Sequence, residues 1–368
     1  MLKGLRILDL TRLLPGPYAT QLLADMGAEV LKVEDTVQGD YMRWMKPHFP
    51  GTKDSALFWG LNRNKESIKL DLKSDAGKSK FLELVRQYDV VLEGFRPGVM
   101  DKLGLGYDKL KEVNSGIIMC AISGYGQDGP YRERAGHDIN YNAIAGALGL
   151  SGHQDGPPVV PAVQVADIGG GGLMAAVGIL AAYVEKLNTG EGRYIDISMM
   201  DGVVSWMAML MMQHAAGDPT LARGASMLNG GMPCYNVYKT KDDKYMSLGA
   251  LEEKFWRVFC GTVGREDLIP RQFDADPSAR AEVAAIFVGR TRAEWSEVFA
   301  GQDVCCEPVL DINEVAAHPQ VAHRGLLKNM PHPKAGQVKV TANPIKFPGA
   351  PETEDTLPPG WGENNTNS

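Results

Sequence analysis

Over the first 125 residues the apolar positions fall into two alternating patterns. Short apolar runs, LRILDL (5–10), AEVLKVE (28–34), SIKLDL (67–72), DVVLEGF (89–95) and GIIMCAIS (116–123), read as strands. Between them, PYATQLLADM (17–26) and DAGKSKFLELVRQY (75–88) place apolar residues three and four apart and read as helices. Strands alternating with helices imply right-handed βαβ units and a largely parallel sheet, so the first half is expected to be Rossmann-like. In such sheets ligands sit beyond the carboxyl ends of the strands.

The pattern then changes. Two long apolar stretches predict helices over 169–187 and about 198–215. From 225 to 310, short strands (NVYKT and YMSLGAL) mix with helices over 253–262, 280–287 and 292–300, as in a smaller α+β domain. After Pro308 the chain becomes proline-rich, and PPGWGENNTNS at its end reads as disordered. The expected organisation is a large domain over 1–224, a small one over 225–310, and a return to the large domain over 311–368. One segment, IGGGGLMAAVGILAAYV (168–184), is uncharged over a length near the lower limit for spanning a membrane. Asp167 before it, Glu185-Lys186 after it and its run of glycines favour a buried core helix. No contact with a membrane is expected.

Bulk chemistry narrows the function. The 368 residues are 44% hydrophobic and 23% charged, with a formal net charge of −7 and no block of basic residues. That argues against nucleic acid as a partner. The cysteines, Cys120, Cys234, Cys260, Cys305 and Cys306, are odd in number, widely spaced and without C-x-x-C. Neither a disulfide framework nor a metal site is indicated, and a reducing cytoplasm fits. The N-terminus, MLKGLRILDLTRLLPGP, meets a charged residue too early for a secretory signal.

Candidate chemistry centres on GYGQDGPYRERAGHDIN (124–140). Its first six residues spell G-x-G-x-x-G after a strand. A dinucleotide loop needs a helix next, and Pro130 followed by a charged, irregular segment stands there instead. The turn is therefore read as glycines that let something approach the backbone closely. His137 and Asp138 follow. Two further polar features are Asp167, before a glycine run and a helix, and Glu252 in LGALEEKFW. The first has the pattern of an N-cap and the second that of an acidic helix start. Spacing alone does not bring the three together.

Taken together, LDLTRLLPGPYATQLLADMGAEVLKVE, EGFRPGVMDKLGLGY, GHDINY, ADIGGGG, RGASMLNGGMPCYNVYKT and LGALEEKFW resemble the family III CoA-transferase superfamily, and within it the alpha-methylacyl-CoA racemases. The resemblance covers roughly residues 1 to 350. It implies an α/β chain with a Rossmann-like large domain and a smaller α+β domain, two copies of which interlock as a homodimer. It implies an acyl-CoA thioester as substrate and racemisation at the carbon next to the thioester. His137 supported by Glu252 would serve one face of that carbon and Asp167 the other. In the transferase branch the same aspartate would instead attack the thioester as a nucleophile. GHDIN and Glu252 favour the racemase. Against it stand Glu253, where racemases carry proline, and Ala166 before the aspartate, where they carry asparagine.

For CoA, the resemblance assigns Arg96 and Lys102, with Arg63 and Lys65 as further cations and with Tyr125 and Asp138 lining the substrate. A basic residue usual after the second strand is replaced by Asp35, so that contact is either lost or supplied by Arg43. Six methionines in 199–212 are read chiefly as core packing. Neither metal nor cofactor is implied, since CoA belongs to the substrate.

Overall fold

A computed structural model describes residues 1–349 and 354–365. The chain divides into two compact units, one formed by 1–145, 161–206 and 319–368, the other by 146–160 and 207–318.

In the first unit, strands β1 (Arg6–Asp9), β2 (Glu29–Glu34), β3 (Lys65–Lys69), β4 (Val90–Glu93), β5 (Ile118–Ser123) and β6 (Tyr194–Ser198) form one sheet in the order β3-β2-β1-β4-β5-β6. Every pairing is parallel, and Ile7 faces Val30 on one side and Val90 on the other. The central strands are buried along their length because helices cover both faces. Phe81, Leu84 and Val85 of helix Asp75–Val85 pack with Leu8, Leu31, Val91 and Met119. Strand order reverses between β1 and β4. The turns that follow these strands, beginning at Leu10 and at Gly94, flank the switch point where this architecture places ligands.

The sequence reading missed β6. It pairs from Met119–Tyr194 to Ser123–Ser198 along the sheet's outer edge. It also missed the hairpin of β10 (Leu327–His332) and β11 (Gly336–Thr341) in the same unit.

The expected disorder of the C-terminus is corrected for residues 358–365. The described end of the chain lies along β3. Asn364 donates its N–H to the Ser67 carbonyl at 2.9 Å and accepts the Ser67 N–H at 3.0 Å. Asn365 accepts the Lys69 N–H at 3.0 Å. A polar, proline-rich tail is thereby held by an edge strand's free backbone groups. Residues 366–368 lie outside the described ones.

The second unit holds the antiparallel sheet β7 (Tyr235–Lys239), β8 (Tyr245–Gly249) and β9 (Cys306–Pro308), in that order. Helices Glu253–Thr262, Pro277–Phe287 and Arg292–Phe299 bury Trp256, Phe259, Phe287, Trp295 and Phe299 against it. The boundaries differ from the expected 1–224 and 225–310. Segment 146–160 joins this unit because Arg223 and Asn229 donate to the carbonyls of Gly149 and Leu150. The predicted helix over 198–215 is two helices, Met199–Trp206 and Ala208–Ala215, falling in different units. Core packing holds for Met199 and Met207, whereas Met209 and Met212 are 63% and 67% exposed.

Candidate active site

The glycine-rich turn after β5 exists to seat an aromatic ring. A Cβ on Gly124 would lie 2.5 Å from the Tyr141 ring, and one on Gly136 would lie 2.7 Å from it. Tyr141 donates its hydroxyl to the Gly136 carbonyl at 2.5 Å and meets Tyr125 edge-on at 5.1 Å. Gly126 and Gly129 occupy left-handed conformations, φ +95° and +78°, that other residues rarely adopt. The close backbone approach expected of this loop is thus to Tyr141 of the same chain.

The turn delivers the chain to helix Asp138–Ile144. His137 is its N-cap, with an extended φ of −133°, and it donates its backbone N–H to the Asn140 side chain at 3.0 Å. The imidazole side is exposed. Asp138, expected to line the substrate, is corrected: it is 8% exposed and points inward. One of its oxygens accepts the backbone N–H groups of Ala166 and Asp167 at 2.7 and 3.0 Å. The other accepts from the Asn142 amide at 2.9 Å.

Asp167 is not the N-cap of a regular helix. It is the third residue of a π-helix, Val165–Leu173, which runs into the α-helix Met174–Thr189. π-turns are rare and occur disproportionately at functional sites. The glycines are required by their neighbours: a Cβ on Gly169 would strike the Trp206 ring at 1.6 Å, and one on Gly170 would lie 2.3 Å from the Met199 carbonyl oxygen. This tight packing leaves Asp167 half-buried. Burial, then the charge of Asp138, push its carboxyl up to about 6, with His137 acting in the opposite direction. His137, Asp138, Asp167, Tyr125 and Tyr141 therefore form one cluster at the carboxyl end of β5. Helix 165–189 is long and apolar enough to cross a membrane, and half of its most apolar stretch is buried within the protein.

Glu252 belongs to the second unit, where it is the exposed N-cap of helix Glu253–Thr262. Arg96 and Lys102 are exposed after β4, at the switch point, and neither forms an ion pair among the described residues. They are available to an anionic ligand.

Arg63 and Lys65 are corrected. Arg63 is 1% exposed and paired bidentately with Asp25. Lys65 is 4% exposed, and its ammonium donates to the Pro17 carbonyl and the Asn62 side chain at 3.0 and 2.9 Å, with Asp9 at 3.5 Å. Burial, with Lys32 adding to it, pushes Lys65 down to about 7 against the opposing charge of Asp9. These cations hold the fold together and present no charge to solvent. The same holds for Arg43, which is buried against Glu34 at 2.6 Å and over the Phe58 ring. The cation that sequence reading overlooked is Arg12, in the turn after β1. It pairs with Asp35 at 2.8 Å and lies 5.9 Å from the Phe95 ring, bridging the two turns at the switch point. Its position directly after a central strand was the available signal.

Among the described residues no group of three or more His, Cys, Asp or Glu side chains is placed to hold a metal ion. The profile of CoA-transferase family III matches residues 2–365. Alpha-methylacyl-CoA racemase from Homo sapiens is 36% identical over 88% of this chain and 81% of its own length. Succinyl-CoA:glutarate CoA-transferase from Homo sapiens is 34% identical over 99% of this chain and 84% of its own. Among solved structures, a CAIB/BAIF family protein from Brucella suis superposes with a TM-score of 0.85 at 30% identity, covering 100% of this chain and 97% of its own. A match along nearly the whole chain, in a fold that presents a half-buried aspartate beside an exposed histidine, makes this chain a member of CoA-transferase family III.

Proposed function

We propose that this enzyme interconverts the epimers of 2-methylacyl-CoA thioesters by moving the proton on the carbon next to the thioester. The observation that carries this reading is an exposed His137 close enough to act on the charge of a half-buried Asp167, whose carboxyl burial pushes up to about 6. A racemase needs a base on one face of the carbon and an acid on the other, both able to exchange roles near neutral pH. An ordinary aspartate is ionised near neutral pH and so holds no proton to return. Asp167, desolvated and set beside Asp138, keeps its proton to higher pH. His137, free of competing ion pairs among the described residues, takes or gives the proton on the other face. Glu252 is retained on the resemblance alone, as the carboxylate that steadies a protonated His137. Arg96, Lys102 and Arg12 are assigned to the phosphates of CoA.

A second reading, CoA transfer between carboxylic acids with Asp167 as nucleophile, is supported by transferase relatives that align over 99% of this chain. Proton NMR of a chiral 2-methylacyl-CoA in D2O, without an acceptor acid, separates the two. Loss of the proton signal together with optical activity, abolished in His137→Ala and in Asp167→Ala, is expected for the racemase. A retained proton, with CoA moved onto an added acid such as glutarate, establishes the transferase instead.

We also propose a homodimer in a reducing, cytoplasmic compartment. Val177, Val184 and Leu187 on helix Met174–Thr189 are 63%, 59% and 68% exposed, an apolar stripe suited to a second copy. All five cysteines are free thiols, four of them buried.

A further inference from the structure

We propose that Asp138 is the positioning residue for Asp167: its carboxylate, accepting the backbone N–H groups of Ala166 and Asp167, ties the first turn of the π-helix to the start of helix 138–144 and so fixes the Asp167 carboxyl beside His137. This deepens the racemase reading and rests on it for its kinetic consequence.

The geometry is specific. Asp138 sits 28 and 29 residues away in sequence from the two amides it binds. The first turn of any helix leaves its N–H groups without partners, and the local cap here, Gln164, supplies no side-chain bond. Asp138 supplies the missing acceptor from another helix. Its second oxygen and its own carbonyl are held by the Asn142 amide, both at 2.9 Å, so its side chain is fixed at both ends. Because His137 and Asp138 are adjacent, the clamp transmits the histidine's position to the aspartate through one peptide unit and one carboxylate. Asp138 also places a negative charge close to Asp167, which favours the protonated acid.

Other ionisable groups on the elements packed around the π-helix are committed elsewhere. Asp25 pairs with Arg63, Lys186 with Asp89, Glu185 with Arg193, Asp201 accepts from Ser198, and Asp196 accepts from the Gln127 backbone. Tyr18, Tyr183 and Tyr194 are raised phenols, neutral at working pH. Tyr141 is held neutral by burial and by the Asp167 charge itself. Asp138 and His137 are left as the groups that set the charge on Asp167.

Two variants separate positioning from charge. Asp138→Asn retains an oxygen that can accept both N–H groups and removes the charge, together with the one bond from the Asn142 amide to the second oxygen. Asp138→Ala removes both. The first readout needs no turnover: the Asp167 carboxyl is titrated by carbon NMR in protein carrying label at the aspartate side-chain carbons, with Asp167→Asn assigning the signal. In Asp138→Asn the Asp167 midpoint is expected to fall by about one pH unit, the effect of removing one close like charge. The second readout is exchange of the substrate's proton in D2O. Asp138→Ala is expected to lose about 100-fold in kcat with KM changed less than threefold, and Asp138→Asn to recover most of that loss at a lower optimum pH. An Asp167 midpoint that does not move in Asp138→Asn, or equal kinetic losses in both variants, overturns the proposal. If the unmodified enzyme exchanges no proton, the racemase reading fails instead, and the titration still decides the role of Asp138.

Discussion

The indole N–H of Trp361 donates to the backbone carbonyl of Asp35 at 3.3 Å, joining the last described turn of the chain to the loop that follows β2. Lys69 lies over the Trp361 ring at 4.2 Å, and Trp44 meets it edge-on at 5.8 Å. Asp35 in turn pairs with Arg12 at the switch point. The C-terminal segment therefore supports a loop at the end of the sheet where CoA is assigned.

Removing that support has a measurable cost. Trp361→Ala is expected to destabilise the protein by about 2 kcal/mol, from lost apolar burial and one hydrogen bond. Urea unfolding followed by circular dichroism would show it. KM for the CoA thioester is expected to rise with kcat little changed, since Asp35 in this loop holds Arg12, which is proposed to bind the CoA phosphates and not to react.

The pH profile follows from the paired acid and base. On the proposed mechanism, epimerisation in either direction uses the enzyme form holding one proton between His137 and Asp167, so both epimers are expected to share one bell-shaped profile. Asp167, pushed up to about 6 by burial and by Asp138, is expected to set the acid limb. Initial rates for both epimers are expected to fall in parallel below that pH. Rates measured separately from each epimer between pH 4.5 and 9 check this, and limbs displaced from one another by a full unit contradict a shared site.

Glu93 provides a stability test away from the reacting atoms. It is 4% exposed at the end of β4, accepts the Phe95 N–H at 2.6 Å, and is pushed up to about 8 by burial, with Asp101 and Asp196 adding to it. Between roughly pH 4.5 and 8 the folded protein keeps a proton that the unfolded chain has released, so stability falls as pH rises through that window. Glu93→Gln keeps the acceptor and removes the ionisation. It is expected to stabilise by on the order of 2–4 kcal/mol at pH 8 and by little at pH 4.5. Unfolding curves at the two pH values would show the difference.

The glycine run gives a steric test. Gly170→Ala places a methyl against the Met199 carbonyl oxygen, where neither backbone can yield, and is expected to cost about 3 kcal/mol or more. Gly60→Ala, in helix Ala56–Leu61 with nothing within 4 Å of the new methyl, is expected to stabilise by about 0.5–1 kcal/mol. Thermal unfolding of the two variants side by side distinguishes packing from helix propensity.

The apolar stripe on helix Met174–Thr189 predicts the assembly state. Sedimentation equilibrium at micromolar concentration is expected to show a dimer, converted to monomer by the double substitution Val184→Asp and Leu187→Asp. A monomeric unmodified protein would contradict the assignment.

Much of the large unit was legible because β1, β4 and β5 are buried along nearly their whole length and their apolar runs are close to continuous. β6 was not, because an edge strand alternates: Tyr194 and Asp196 face outward while Ile195 and Ile197 are part-buried. Proline and charge concealed the β10–β11 hairpin, in which Pro331 pairs with Gln337. That His137 and Asp167 would lie near one another was expected from the resemblance alone. The Asp138 clamp was not, since nothing local marks a bond spanning 28 residues. Arg63 and Lys65 were misread for the same reason: their counter-charges lie 38 and 56 positions away, so they resembled free surface cations.

The π-helix makes the location of Asp167 a matter of residue count. An α-helix advances about 100° per residue, and a π-turn accommodates one residue more than an α-turn in the same span. Deleting a single glycine between Gly169 and Gly172 would let 165–189 relax into one regular helix. Everything C-terminal to the deletion would keep its packing, while Asp167 would rotate by about a quarter-turn away from Asp138 and His137. On the proposed role of Asp167, the acid would survive in the sequence and be lost from the site, so a variant one residue shorter in this run is expected to keep the fold and every signature side chain yet be inert.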